Sequence, residues 1–156
     1  MPNNRLVKEY RELCTSKCDS DIELVLEDES DIFAWRARLR GPKSTPYEKG
    51  IFHLLIRCPP NYPLAPPAVS FATPIFHPNV LFKTGEICLD ILKPDSWTPA
   101  WTLQSVCRAV VALLSDPQAD SPLNCDCGNL IRNGDMRGYR SMARMYTELH
   151  ATGSID

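Results

Sequence analysis

Residues 76–101 read FHPNVLFKTGEICLDILKPDSWTPAW. Prolines at 78, 94 and 99 and a glycine at 85 break any regular element across them. An irregular stretch of this length inside a compact domain is either functional or disordered. Its composition argues against disorder. Phe76, Val80, Leu81, Phe82, Ile87, Leu89, Ile91, Leu92, Trp97 and Trp101, with Ile75 just ahead, carry enough apolar surface to pin the chain onto a core. A pinned loop can hold a reactive group, and Cys88 lies in its middle.

After this stretch the period becomes helical. Leu103, Val106, Cys107, Val110, Leu113 and Leu114 form one apolar stripe behind Thr102 as cap, so a central helix is predicted, ended by Asp116 and Pro117. A short helix over 123–133 should stop at Gly134. Asp135 then caps a last helix that packs through Met136, Tyr139, Met142, Ala143, Tyr146 and Leu149.

Before the stretch, residues 59–78 hold half of the chain's 14 prolines, leaving room only for a short strand over 68–71. The Tyr62-Pro63 bond is a candidate for the cis form. Segments 22–26, 32–39 and 51–57 read as strands, and their short connections imply an antiparallel meander. At the start, Leu6, Val7, Tyr10, Leu13 and Cys14 recur at helical spacing behind Asn3 or Asn4 as cap, predicting a helix over 4–14. Arg5, Lys8, Glu9 and Arg11 fill its other face. Helix, meander, long loop and helices make an α+β order, read as a single domain over 1–156.

Composition bounds the function. With 44% hydrophobic and 23% charged residues the chain can build a core. No apolar run approaches the roughly 18 residues of a membrane span, and residues 1–8 lack a signal-peptide pattern, so a soluble, cytoplasmic protein without membrane insertion is expected. Seventeen basic against 19 acidic side chains give a formal charge of −2, which offers nucleic acid no broad positive surface. Seven cysteines, an odd number at ordinary density, fit a reducing compartment. The close pairs Cys14/Cys18 and Cys125/Cys127 lack the two-residue gap usual for zinc, so no metal is expected.

The motifs His77-Pro78-Asn79, Gly85-Glu86-Ile87-Cys88-Leu89-Asp90-Ile91-Leu92 and Trp97-Thr98-Pro99-Ala100 resemble the ubiquitin-conjugating (E2) enzymes. The likeness continues through Trp35, Gly41-Pro42, Tyr47, Gly50, Tyr62-Pro63-Leu64-Ala65-Pro66-Pro67, Asp116-Pro117 and Ser121-Pro122-Leu123, and so covers nearly the whole chain. It implies an N-terminal helix, a four-stranded antiparallel sheet, an active-site loop, and central and C-terminal helices. Two departures flank Cys88: one more residue separates it from Asn79 than in the commonest members, and Lys93-Pro94-Asp95-Ser96 lengthens the following loop. Together with 128–132, Gly134-Asp135-Met136 and Trp101, they resemble the peroxisome-biogenesis subgroup of the family.

What the resemblance implies is specific. Cys88 accepts ubiquitin's C-terminal carbonyl from a thioester on the activating enzyme (E1), and because that enzyme consumes the ATP, no cofactor is expected here. Cys58 and Cys107, within apolar patterns, read as buried thiols instead. The Asn79 amide serves either the oxyanion of aminolysis or the loop that carries Cys88. His77 makes a structural hydrogen bond near the site. Asp90 and Ser121 flank the cleft where an incoming lysine is oriented; on their residue types alone they are solvated loop polarity.

On charge pattern alone Arg5, Lys8 and Arg11 are a solvated helix face. The family likeness makes Arg5 and Lys8 part of the E1-binding surface. A RING-type ligase (E3) is expected on that helix together with Leu64, Pro99, Ala100 and Trp101. The subgroup likeness adds a membrane anchor protein that recruits the enzyme to the cytosolic face of the peroxisome, and an import receptor modified on cysteine. Two rivals remain at this point: a non-catalytic E2-like scaffold that binds ubiquitin, against which Cys88 and Asn79 speak, and a cysteine hydrolase, which needs a base drawn from His53, His77 or His150.

Overall fold

The computed structural model describes residues 3–16 and 20–152. Along the chain come α1 (Asn4–Thr15), β1 (Ile22–Asp28), β2 (Asp31–Arg40), β3 (Ile51–Arg57), β4 (Ala68–Phe71), α2 (Leu103–Ser115), α3 (Cys125–Arg132) and α4 (Met136–His150). The four strands form one antiparallel sheet in the order β1-β2-β3-β4, the meander expected from the short connections.

Period-two alternation explains β2. Trp35, Ala37 and Leu39 are buried, whereas Arg36 and Arg40 are exposed and Arg38 is half-buried on the opposite face, each facing an acid of β1 or the residue just before it. The first hairpin runs two residues further than the apolar pattern on β1, because polar side chains close it: Asp28 accepts from Ser30 N and Asp31 from Phe33 N, both at 2.9 Å. Trp35, Phe52, Leu54 and Ile56 of the sheet share the core with Leu103, Val106, Cys107, Val110 and Leu114 of α2. Thr102 and Ser105 form a reciprocal cap at the start of α2, Thr102 Oγ1 accepting from Ser105 N at 3.1 Å and Ser105 Oγ from Thr102 N at 2.7 Å.

Three expectations need correction. Glu9, assigned to the solvated face of α1, is buried, because it accepts from Leu103 N at 2.7 Å and from Tyr62 Oη at 2.7 Å and pairs with Arg5 at 3.2 Å. The helix turns to bury that carboxylate beside Leu6, leaving Tyr10 and Cys14 at the surface. The inner face of α4 is Tyr139, Ala143 and Thr147, with Met142 and Tyr146 packed partly buried against the core as expected; Met136 and Leu149 are exposed instead, and Thr147 is admitted because its hydroxyl donates to Ala143 O at 2.8 Å. Finally, α3 begins at Cys125, since Asn124 takes the cap position by accepting from Cys127 N at 3.1 Å.

Candidate active site

The segment before Cys88 is fixed from three sides. Tyr47 Oη donates to Phe76 O at 2.7 Å, which commits its single proton, so at 3.1 Å it accepts from Tyr139 Oη. His77 is fully buried; its Nδ1 accepts from Asn79 N at 3.0 Å, leaving Nε2–H to donate to Leu113 O at 2.9 Å. Pro78 O accepts from Leu123 N and Asn124 N at 2.8 and 3.1 Å, which joins the 116–122 loop to the same segment.

A tight reversal then returns the chain. Gly85 has φ +76, and a Cβ there would lie 1.9 Å from Phe71 O, so only glycine lets the loop lie this close to the edge of β4. Phe71 N donates to Gly85 O at 2.8 Å, and Val80 bridges to Ile87. These constraints deliver Cys88 half-buried, its N–H donating to Asn79 O at 2.8 Å.

Cys88 opens into a cleft of about 390 Å³, with Asn79, Asp90, Lys93, Gln118, Asp120 and Ser121 among its walls. The structure therefore gathers the expected Asn79, Asp90 and Ser121 around Cys88, and it adds Lys93, Gln118 and Asp120. Lys93 Nζ donates to Asp90 Oδ1 at 3.0 Å. That carboxylate, by hydrogen bond and charge, holds the Lys93 ammonium above its ordinary pKa, and the Cys88 sulfur acts in the same direction. Asp90 thus starts a single turn of 3-10 helix, 90–92, with its charge already engaged, while Asp120 and Ser121 are exposed on the opposite loop. In the sequence Lys93 shows only as part of the lengthened loop 93–96, and Asp120 carries no signal of its own. Adjacent residues of an irregular loop follow no period, so side-chain direction was not readable there.

The buried His77 imidazole has both nitrogens occupied, and desolvation lowers its pKa to about 4. It stays neutral and has no free lone pair for a thiol proton. Burial raises Cys58, Cys107 and Cys127 to about 12, which leaves those thiols inert at neutral pH. Cys14 and Cys125 are exposed, and Cys18 lies outside the described residues. Among the described residues no group of three or more His, Cys, Asp or Glu side chains is placed to hold a metal ion.

One face away, α1 and two loops are tied together. The cis Tyr62-Pro63 bond sits in a loop held by three donors: Asn3 Nδ2 to Tyr62 O at 2.7 Å, Trp97 Nε1 to Pro63 O at 2.8 Å, and Tyr62 Oη to Glu9. That loop presents Leu64 at 77% exposure. Pro99 and Ala100 are exposed on the second loop and Trp101 is half-buried. Lys8 and Arg11 point to solvent, but Arg5 is turned inward, its guanidinium donating to Trp101 O at 2.9 Å and to Glu9. Arg5 is therefore a brace between the helix and the second loop.

Comparison with known proteins agrees with this geometry. Residues 5–147 match the family described as ubiquitin-conjugating enzyme. The chain is 61% identical over 148 residues to Protein PEROXIN-4 of Arabidopsis thaliana, covering 94% of this chain and 93% of that one. It is 60% identical over 146 residues to ubiquitin-conjugating enzyme E2 pex4 of Dictyostelium discoideum, covering 94% and 97%. Among solved structures, a putative ubiquitin conjugating enzyme from Plasmodium yoelii superposes with a TM-score of 0.88 at 35% identity, covering 99% of both chains. The H. polymorpha ubiquitin conjugating enzyme Pex4p, solved in complex with the soluble domain of Pex22p, gives 0.85 at 37% identity, covering 94% of this chain and 96% of that one.

Proposed function

This chain belongs to the ubiquitin-conjugating (E2) enzyme family, and from that premise we propose that Cys88 carries ubiquitin as a thioester and passes it, with a RING-type ligase, to a lysine or cysteine of a substrate. The observation that carries the reading is Cys88 half-buried at the edge of an open cleft, held by Asn79 O, while three other thiols are sealed in the core.

Charging is an exchange. The Cys88 sulfur attacks the carbonyl of the E1 thioester, a new C–S bond forms, the old one breaks, and the E1 thiol leaves with the proton. Because one thioester replaces another, neither metal nor cofactor is needed, and ATP is consumed by the E1. In discharge the acceptor nitrogen or sulfur bonds to the carbonyl carbon, Cys88 leaves as thiolate, and the acceptor's proton is released.

Several features support a cysteine acceptor. Lys93 engages the Asp90 carboxylate and so removes one of the two acids of the cleft from an incoming ammonium, leaving Asp120 as the other. Ser121, placed where an acid would orient a lysine, adds no negative charge. The named relatives are peroxins, and one was solved with the soluble domain of Pex22p. They support a peroxisomal role and a protein partner for this chain; recruitment to the cytosolic face of the membrane by an anchor protein, and a peroxisomal import receptor as substrate, complete the proposal. No helix among the described residues is long and apolar enough to cross a membrane.

The test is incubation with E1, ATP and tagged ubiquitin, followed by a non-reducing gel. A thiol-sensitive adduct is expected, absent from Cys88→Ala and trapped as an oxyester in Cys88→Ser. An undiminished adduct in Cys88→Ala overturns the assignment.

A further inference from the structure

We propose that Trp97 is a positioning residue for acceptor choice: it anchors the loop over 93–96 so that Lys93 stays against Asp90 at the wall of the Cys88 cleft. The inference rests on Cys88 being the site of discharge, as proposed above.

The loop needs an anchor. Lys93, Pro94, Asp95 and Ser96 are exposed, as are Thr98, Pro99 and Ala100, so between 93 and 100 only Trp97 is buried. The ion pair cannot hold the loop by itself. The side chains of Lys93 and Asp90 are 56% and 86% exposed, and a pair so solvated adds little while restricting a long side chain. What keeps the ammonium in place is the backbone that carries it.

That backbone is fixed on both sides of Lys93. Its N–H donates to Asp90 O at 3.1 Å, closing the turn 90–92. Pro94 excludes helical backbone from the residue before it, and Lys93, at φ −76 and ψ 141, ends the turn there. Lys93 O then accepts from Ser96 N at 3.0 Å and from Trp97 N at 2.9 Å. The second of these bonds ties Lys93 to a seated side chain. The Trp97 indole packs against the Tyr62 ring, centroids 6.1 Å apart, and donates through Nε1 to Pro63 O at 2.8 Å. Tyr62 is itself held, its Oη by the buried Glu9 and its carbonyl by Asn3. An unbroken series of contacts thus runs from α1 through Tyr62-Pro63 and Trp97 to Lys93, and ends on Asp90 in the cleft.

The consequence follows from charge. With Lys93 in place, the Asp90 carboxylate is engaged and draws an acceptor ammonium less strongly. Without the anchor, Lys93 turns into solvent and that carboxylate faces the cleft unpaired, which helps a lysine acceptor and gives a thiol nothing.

The experiment measures discharge of Cys88-linked ubiquitin to free lysine and to free cysteine at one pH and takes their ratio, so any loss common to both cancels. Two variants break the anchor differently. Trp97→Phe keeps a ring against Tyr62 and removes the Nε1 donor; one glycine inserted between Ser96 and Trp97 leaves the indole seated and lengthens the turn. Each should raise the lysine-to-cysteine ratio by about twofold to fivefold, toward the value in Lys93→Ala. Combined with Lys93→Ala, neither should raise it further, which is the coupling that contact through Lys93 requires. An unchanged ratio in the insertion variant overturns the proposal. So does a shift that persists in full on the Lys93→Ala background, or one seen in the insertion variant and absent from a folded Trp97→Phe. A native chain that takes up no ubiquitin overturns the function reading and this inference with it, whereas normal loading with an unmoved ratio overturns this inference alone.

Discussion

The carboxamide of Asn79 holds both backbone groups of Gln118: Oδ1 accepts from Gln118 N at 2.8 Å and Nδ2 donates to Gln118 O at 2.7 Å. Its own carbonyl accepts from Cys88 N. One residue therefore joins the strip that carries the thiol to the loop that carries Asp120 and Ser121. The second Nδ2 proton is uncommitted, so the amide can brace the cleft and still present a donor to an oxyanion.

Asn79→Ala severs both contacts with Gln118. It should cost about 2 kcal/mol of stability and slow discharge more than loading, because the acceptor wall loses its tie. Thermal unfolding and single-turnover discharge measure the two effects. Slow discharge with an unchanged melting temperature isolates the oxyanion role; equal loss in loading and discharge excludes it.

His77 links stability to pH. Its pKa is about 4 in the fold and about 6.5 when unfolded, so between those values the unfolded chain binds more protons. Stability therefore falls as pH drops from about 6.5 toward 4, by about 2 kcal/mol at pH 5 and about 3 kcal/mol below pH 4. Denaturant midpoints from pH 8 to pH 4 should show this slope in the native chain. In His77→Gln, whose overall stability is lower, that part of the slope should be missing; an identical slope refutes the assignment.

Removing Glu9 should separate charging from ligase response. Glu9→Ala leaves Tyr62 Oη and Leu103 N without their acceptor and is expected to cost about 3 kcal/mol. The loop presenting Leu64 then loosens, so ligase-stimulated discharge should drop more than unstimulated discharge. Leu64→Ala, at an exposed position, should give the same kinetic loss at native stability. Normal stimulation in both variants places the ligase elsewhere.

Acceptor choice can be read from the cleft charges. Lys93→Ala frees the Asp90 carboxylate, and Ser121→Asp adds one. Each should raise discharge to free lysine relative to free cysteine, by about threefold to tenfold for one charge at the mouth of a solvated cleft. Discharge rates to both amino acids, followed at one pH, decide it. If neither variant changes the ratio, the cleft imposes no preference and selection rests with ligase and receptor.

Much of this was legible before any coordinates. Element types and order followed from periodicity and caps: Thr102, Asp116 and Asp135 bound their helices as expected, and the strand over 51–57 has those limits in the structure. Cys88 stood out because residues 85–92 around it carry the family resemblance, whereas Cys58 and Cys107 lie within apolar patterns. Hidden from a linear reading was everything set by contacts far apart in the chain. Glu9 looked solvated because its partners lie 53 and 94 residues away, and no helical period announces a buried carboxylate. Lys93 and Asp120 occupy positions whose direction depends on irregular backbone, and Arg5, on α1, turns inward because Trp101 O and Glu9 come within its reach. Sequence alone determined the elements, since local sterics and apolar period act over a few residues. Tertiary structure decided which polar groups meet, because desolvation makes each buried one seek whatever partner the fold brings within reach.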